Sequence, residues 1–225
     1  MIPKTFHQIW INRDSPDLPA EFAAYRDSWL RHHPSWAYRL WNLDNLDFDL
    51  LRPDLVGQCS SYAQLADLLR LEVLFHHGGV YVDTDFECFK PIDPLLEGLA
   101  LCACGEKPGV ISTGFIGAAP RSPLIEKLLR NLPTKIGLRP PNAETGPAFI
   151  TQQWRDDAVA TLPTAYLYPY APSEARASAQ THPEAYAAHH WAHSWLDPKE
   201  RTLWRRVRAR LAPKLGLRLG RPVVG

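Results

Sequence analysis

Two glycines, Gly78 and Gly79, divide the segment Ser60–Asp85 and fix what its two halves can be. Before them, Tyr62, Leu65, Leu69 and Val73 recur every three or four residues behind a serine pair able to cap a helix, so Ser60–His77 reads as a helix. The glycines supply the left-handed residue on which helices commonly end. After them, Val80–Asp83 is a short apolar strand that runs into the polar loop Asp83-Thr84-Asp85. A helix, a tight turn, a buried strand and an acidic loop form a unit that needs a sheet to cover the strand and an open sheet edge to release the carboxylates.

The flanking sequence supplies that sheet. Thr5–Ile11 is a β-branched and aromatic strand, and Glu21–His32 carries Phe22, Tyr25 and Trp29 at helical spacing before Pro34 stops it. Tyr38–Trp41, Leu99–Ala103 and Val110–Gly117 read as further strands, Ser122–Asn131 and Gly146–Arg155 as further helices. This alternation predicts an α/β sandwich with a mostly parallel central sheet, a single domain over residues 1–197. A chain of 225 residues, 45% of them hydrophobic, can bury such a core.

Leu196-Asp197-Pro198 opens a basic tail, residues 198–225, expected to be helical to Leu211. From Lys199 to Arg221 nine basic residues face one acid, Glu200, so a chain of net charge +1 divides into an acidic body and a tail of +8. The near-neutral total excludes a globally basic nucleic-acid binder, and no nucleic acid is expected. Arg205, Arg206, Arg208 and Arg210 beside Leu203, Trp204, Val207 and Leu211 fit peripheral contact with an anionic membrane, or a solvated extension. The expected location is cytoplasmic, with that contact at the membrane's cytoplasmic face. No apolar run approaches the roughly 18 residues of a membrane span, and the first residues lack a secretory pattern. Cys59, Cys88, Cys102 and Cys104 have no CxxC spacing, which points to reduced structural thiols rather than a zinc site.

Three features carry chemistry. Asp83 and Asp85 leave the core together, and a divalent cation with a preference for oxygen ligands, Mn²⁺ or Mg²⁺, would relieve their repulsion; a solvated turn is the plainer alternative. Asp67 and Arg70 share one face of the Ser60–His77 helix among leucines. They read either as polar groups aimed at a ligand or as a surface ion pair. His189, His190 and His193 lie between Trp191 and Trp195 or just before them; His189 and His193 have the four-residue spacing of a helical zinc site, but the Glu of HExxH is absent. One of the three histidines could complete a divalent site with the acidic loop.

Ile9-Trp10-Ile11, Asp67-x-x-Arg70, Gly78-Gly79-Val80-Tyr81-Val82-Asp83-Thr84-Asp85, Thr145-Gly146-Pro147 and the closing His-His-Trp-Ala-His-Ser-Trp together resemble glycosyltransferase family 32 over Ile2–Trp195. That family includes enzymes of capsule and glycolipid synthesis and of fungal mannan initiation, and it is similar to the catalytic domains of large clostridial glucosylating toxins. The resemblance implies a GT-A fold, a Rossmann-like sandwich binding a UDP- or GDP-sugar at the strand ends. It implies metal binding by Asp83, Asp85 and His189, with His190 and His193 as alternatives, and donor contacts from Asp67 and Arg70. It also implies a nucleobase packed on Trp10, a donor-site Tyr81, and Trp195 closing over the diphosphate. The transfer would proceed with retention, without a protein nucleophile, to a glycan or glycolipid acceptor. One departure stands out: the family often carries Asn where this chain has Thr113. Two other readings compete. The strand end superficially fits haloacid-dehalogenase-like phosphohydrolases, although Glu87 stands where their Thr or Val belongs. A sugar-nucleotide or glycan-binding module or partner subunit without turnover would need the same donor residues.

Overall fold

A computed structural model describes residues 1–11, 17–155, 157, 159–174, 176, 178 and 180–192. The basic tail, His193 and Trp195 lie outside the described residues, as does the helix expected up to Leu211. The N-terminal half runs β1 (Thr5–Ile9), α1 (Ala20–His32), β2 (Ala37–Trp41), α2 (Pro53–Val56), α3 (Tyr62–His77), β3 (Gly79–Val82), β4 (Phe86–Cys88) and α4 (Asp93–Leu96). It continues with β5 (Leu101–Lys107), β6 (Val110–Ala118), α5 (Pro123–Asn131), α6 (Pro141–Glu144), α7 (Pro147–Gln153), β7 (Ala160–Leu162), α8 (Thr164–Leu167) and β8 (Ala187–His189).

Six strands form the main sheet in the order β2-β1-β3-β6-β5-β7. The pairs β1/β2, β1/β3 and β5/β7 are parallel, and both pairs made by β6 are antiparallel. Five strands therefore point one way and β6 alone is reversed, which bears out the mostly parallel sheet. Both faces are covered. Tyr81, Ala103 and Ile116 belong to a core with α3, α5 and α7, while Val80, Val82 and Phe115 belong to a second core with Trp29 of α1. Every residue of β3 is buried, as expected for a strand covered on both sides.

The helix expected before the glycines starts at Tyr62, where Ser61 caps it by accepting from the Gln64 N–H at 3.2 Å. Gly78 ends it at φ +64°, its N–H bonded to Leu74 O. Gly79 follows at φ +89°, and a Cβ there would lie 2.7 Å from Thr5 O and 2.8 Å from His7 Nε2. The glycine pair thus ends the helix and also lets β3 pack against β1. All four cysteines are buried free thiols. Among the described residues, no helix is long and apolar enough to cross a membrane.

Candidate active site

The main sheet lets go of β3 at Asp83. Its N–H makes a last sheet bond to Gly114 O at 2.9 Å, and its carbonyl accepts from Gln8 Nε2 at 3.3 Å and from the Phe86 N–H at 3.3 Å. The chain turns through Thr84 and Asp85 and enters β4, which pairs antiparallel with β8 so that Phe86 stands opposite His189. Helix α1 fixes β4 from behind: Trp29 Nε1 donates to Phe86 O, and the Cys88 N–H donates to Ser28 Oγ.

That small sheet brings His189 Nε2 to 3.1 Å from Asp85 Oδ1. One ligand atom each from Asp83, Asp85 and His189 lies within 4.8 Å of the others, the only such cluster found among the described residues. Two carboxylates and one imidazole suit Mn²⁺ well and Mg²⁺ less well, so these residues fit the implied metal. Burial works against Asp85's charge, but the His189 imidazole and the Ala192 N–H, 2.9 Å away, outweigh it and hold its carboxyl below the usual range. His189 answers in kind. Burial pulls its pKa down, and Asp85 pulls it up by more.

On the other side of the strand end lies a buried polar network. Arg70 Nη2 sits 3.1 Å from Asp67 Oδ1 and 3.6 Å from Asp83 Oδ1, and its Nη1 donates to Thr113 O at 2.5 Å. Its guanidinium lies over the Tyr81 ring, 4.5 Å from the centroid, and the Tyr81 hydroxyl donates to Asp83 Oδ1 at 2.6 Å. Thr145 Oγ1 donates to Asp67 Oδ2 at 2.8 Å. Asp67 and Arg70 are only 6% and 5% exposed, which rules out the surface ion pair. Burial raises the Asp67 carboxyl to about 6, with the Arg70 charge opposing.

An irregularity in β6 shapes the gap between these two halves. Ala103 pairs with Ile116, but Gly105, two residues on, pairs with Ile111, so β6 carries three extra residues there. The bulge presents Thr113 O to Arg70 and Gly114 O to Asp83. It also presents Ser112 Oγ to the Tyr168 hydroxyl, with which it shares a hydrogen bond.

Of the residues singled out from sequence, Asp67, Arg70, Tyr81, Asp83, Asp85 and His189 converge on one strand end. Tyr81 is buried and meets Asp83 rather than open space. Trp10 follows β1 with its ring edge-on to Phe22 and its buried Nε1 without a hydrogen-bond partner among the described residues. His190 turns away: Nδ1 meets Tyr170 Oη and Nε2 meets Glu87 Oε2. His189 belongs to a strand, in keeping with the missing HExxH glutamate that set the helical zinc site aside; β8 is only three residues long and carries no period to read. Sequence reasoning assigned no role to Ser112, Gly114 or Tyr168. A glycine inside a strand hints at a close approach; nothing marks Tyr168, which reaches the site through α8.

Residues 19–100 match the family model described as glycosyltransferase sugar-binding region containing DXD motif. The chain is 30% identical over 165 residues to mannosyl phosphorylinositol ceramide synthase CSH1 of Saccharomyces cerevisiae, covering 69% of this chain and 43% of that protein. It is 31% identical over 137 residues to inositol phosphoceramide mannosyltransferase 3 of Schizosaccharomyces pombe, covering 59% and 37%. The chain thus spans less than half the length of these relatives. Among solved structures, PaToxG glycosyltransferase superposes with a TM-score of 0.55 at 17% identity, covering 70% of this chain and 69% of that one. The galactosyltransferase LgtC superposes with a TM-score of 0.50 at 11% identity, covering 97% and 98%. These likenesses identify the fold as that of GT-A glycosyltransferases.

Proposed function

We propose, for a chain whose residues 19–100 belong to the DXD-containing glycosyltransferase sugar-binding region, that it moves a mannosyl group from a nucleotide-diphosphate donor to a glycolipid acceptor. The observation that carries this reading is the meeting of Asp83, Asp85 and His189 at the end of β3, beside the buried Asp67–Arg70 pair. The printed names of the fungal relatives suggest the sugar and the acceptor class.

In this reading Asp83, Asp85 and His189 hold Mn²⁺ or Mg²⁺. When bound, the cation takes up negative charge that grows on the departing diphosphate. Arg70, itself buried, adds fixed positive charge to the same strand end. Its position is set beforehand by Thr113 O and Asp67, so it need not reorganise as the bond breaks. Tyr81 holds Asp83 in one rotamer from inside the core. Trp10, at the end of β1, stacks on the nucleobase. The bond from the anomeric carbon to the β-phosphate oxygen breaks, and the acceptor oxygen bonds that carbon from the same face. The acceptor's proton leaves on the diphosphate. No side chain acts as nucleophile, and the anomeric configuration is retained.

The test is Mn²⁺-dependent release of GDP from GDP-mannose in the presence of inositol phosphoceramide, followed in wild type and in Asp83→Ala and Asp85→Ala. Each variant is expected to lose about a hundredfold or more in rate while keeping its circular dichroism spectrum. Transfer near the wild-type rate by either variant overturns the metal assignment.

A further inference from the structure

The rim of the sheet that carries Asp83 also holds a cavity of about 580 Å³. Lys107, Thr151, Trp154, Arg155, Thr161 and Thr164 line it, at the ends of β5, α7 and β7. Strand register places it relative to the acidic loop. Tyr81, Ile116 and Ala103 stand in one row across β3, β6 and β5. Asp83 and Gly105 each lie two residues beyond that row on strands pointing the same way, and Gly105 borders the cavity. Only β6, with its bulge, lies between them.

Among the described residues, the cations that line the cavity outnumber its carboxylates. Its lining contains a single carboxylate, Asp157, and Lys127 Nζ already occupies that group at 2.7 Å. Lys107 and Arg155 are exposed and, among the described residues, have no ion-pair partner. Two cations that share this lining with the hydroxyls of Thr161 and Thr164 match a ligand that is both anionic and rich in hydroxyls. The floor, by contrast, is Trp154, which is 2% exposed.

We propose that this cavity is the acceptor subsite and that it takes a phosphate-bearing polyol head group. Lys107 and Arg155 hold the phosphate there, and the threonine hydroxyls meet the ring. The assignment rests on the glycosyltransferase reading above, and it adds where the acceptor sits and why its charge matters.

Calorimetric titration of the full chain, with GDP and Mn²⁺ present, tests it with three probes: glycerophosphoinositol, neutral myo-inositol and inorganic phosphate. Glycerophosphoinositol is expected to bind at least tenfold more tightly than either of the others. Lys107→Glu with Arg155→Glu should weaken it at least tenfold, and so should Thr161→Trp, which fills the cavity without changing its charge. Equal binding of myo-inositol overturns the proposal, as does unchanged binding by both variants. Inorganic phosphate binding as tightly as the head group reduces the cavity to an anion site and also overturns it. A titration of GDP with Mn²⁺ into the same proteins separates the two readings. If wild type binds no GDP, the glycosyltransferase reading fails and takes this one with it. If GDP binds throughout and the head group ignores the variants, the acceptor assignment fails alone.

Discussion

Tyr81 and Asp83 lie two residues apart on one strand end, yet only the carboxylate faces the cleft. The tyrosine, 2% exposed, donates to Asp83 Oδ1 and supports the Arg70 guanidinium. Tyr81→Phe keeps the ring and removes that donor, so Mn²⁺ affinity should fall about tenfold, read by Mn²⁺ paramagnetic resonance. Unchanged Mn²⁺ binding would show that Asp83 needs no support from the core. Gly114 serves the same carboxylate in another way, because a Cβ there would lie 2.7 Å from Asp83 Oδ2 and 2.8 Å from Tyr168 Oη. Gly114→Ala is expected to cost about 1–3 kcal/mol of stability and at least tenfold in transfer rate, measured by urea unfolding and GDP release. A variant as stable and active as wild type contradicts that crowding. Thr113, the departure from the family pattern, contributes its carbonyl to Arg70. A backbone atom does that work, so the side-chain change does not remove it. Sequence made the two aspartates of the loop visible because paired charges at the end of an apolar strand are costly. It left Gly114 and Tyr168 unmarked because their roles are distances, not chemistry.

At the scale of elements, α3 and β3 were legible and β8 was not. A 16-residue helix has four turns in which to repeat its pattern, and Gly78 and Gly79 punctuate it. Three residues of β8 repeat nothing. Their pairing with β4 joins segments about a hundred residues apart, and only that register lays His189 against Asp85. β1 carries a different consequence of close packing. His7 is fully buried below Gly79, accepts from Trp41 Nε1 at 3.0 Å, and has its pKa lowered to about 4, first by burial and then by the His77 charge. The unfolded chain therefore binds the extra proton more readily. His7's contribution is whole above pH 6.5 and is lost as pH falls from there toward 4, up to about 3 kcal/mol. Asp67, raised to about 6, works in the opposite direction over much of the same window, since its contribution is lost as pH rises. The difference between wild type and His7→Gln isolates the first effect. In urea unfolding from pH 7 to 4, wild type should lose stability relative to the variant. Parallel pH profiles would show that His7 does not titrate in this way.

At the scale of the whole molecule, the reversed β6 separates this sheet from a uniformly parallel one and places a bulge opposite the acidic loop. The alternation of strands and helices predicted the sandwich but not the reversal, because the strand read as Leu99–Ala103 runs on to Lys107 and so leaves only Pro108-Gly109 before β6, a turn short enough to force an antiparallel pair. The tail's charge belongs to this scale too. A segment of +8 on an acidic body should hold the chain to anionic lipid at about 1 kcal/mol for each basic residue near the surface. Deleting residues 199–225 is expected to lower partitioning onto phosphatidylserine vesicles at least tenfold, measured by cosedimentation, with GDP–Mn²⁺ binding as the control. Equal partitioning of the truncated chain refutes membrane contact through the tail.

By itself the sequence determined the layered α/β architecture, the helix that ends on two glycines, and the release of two carboxylates from a buried strand. Each of these depends on neighbours along the chain, where periodicity and turn chemistry act. The family resemblance already favoured His189 over His190; tertiary structure alone decided how it meets Asp85, that β6 bulges toward Arg70, and that Tyr81 faces inward. These are contacts between distant segments, set by strand register and by the space that glycines leave open, and no local pattern encodes a distance across a sheet.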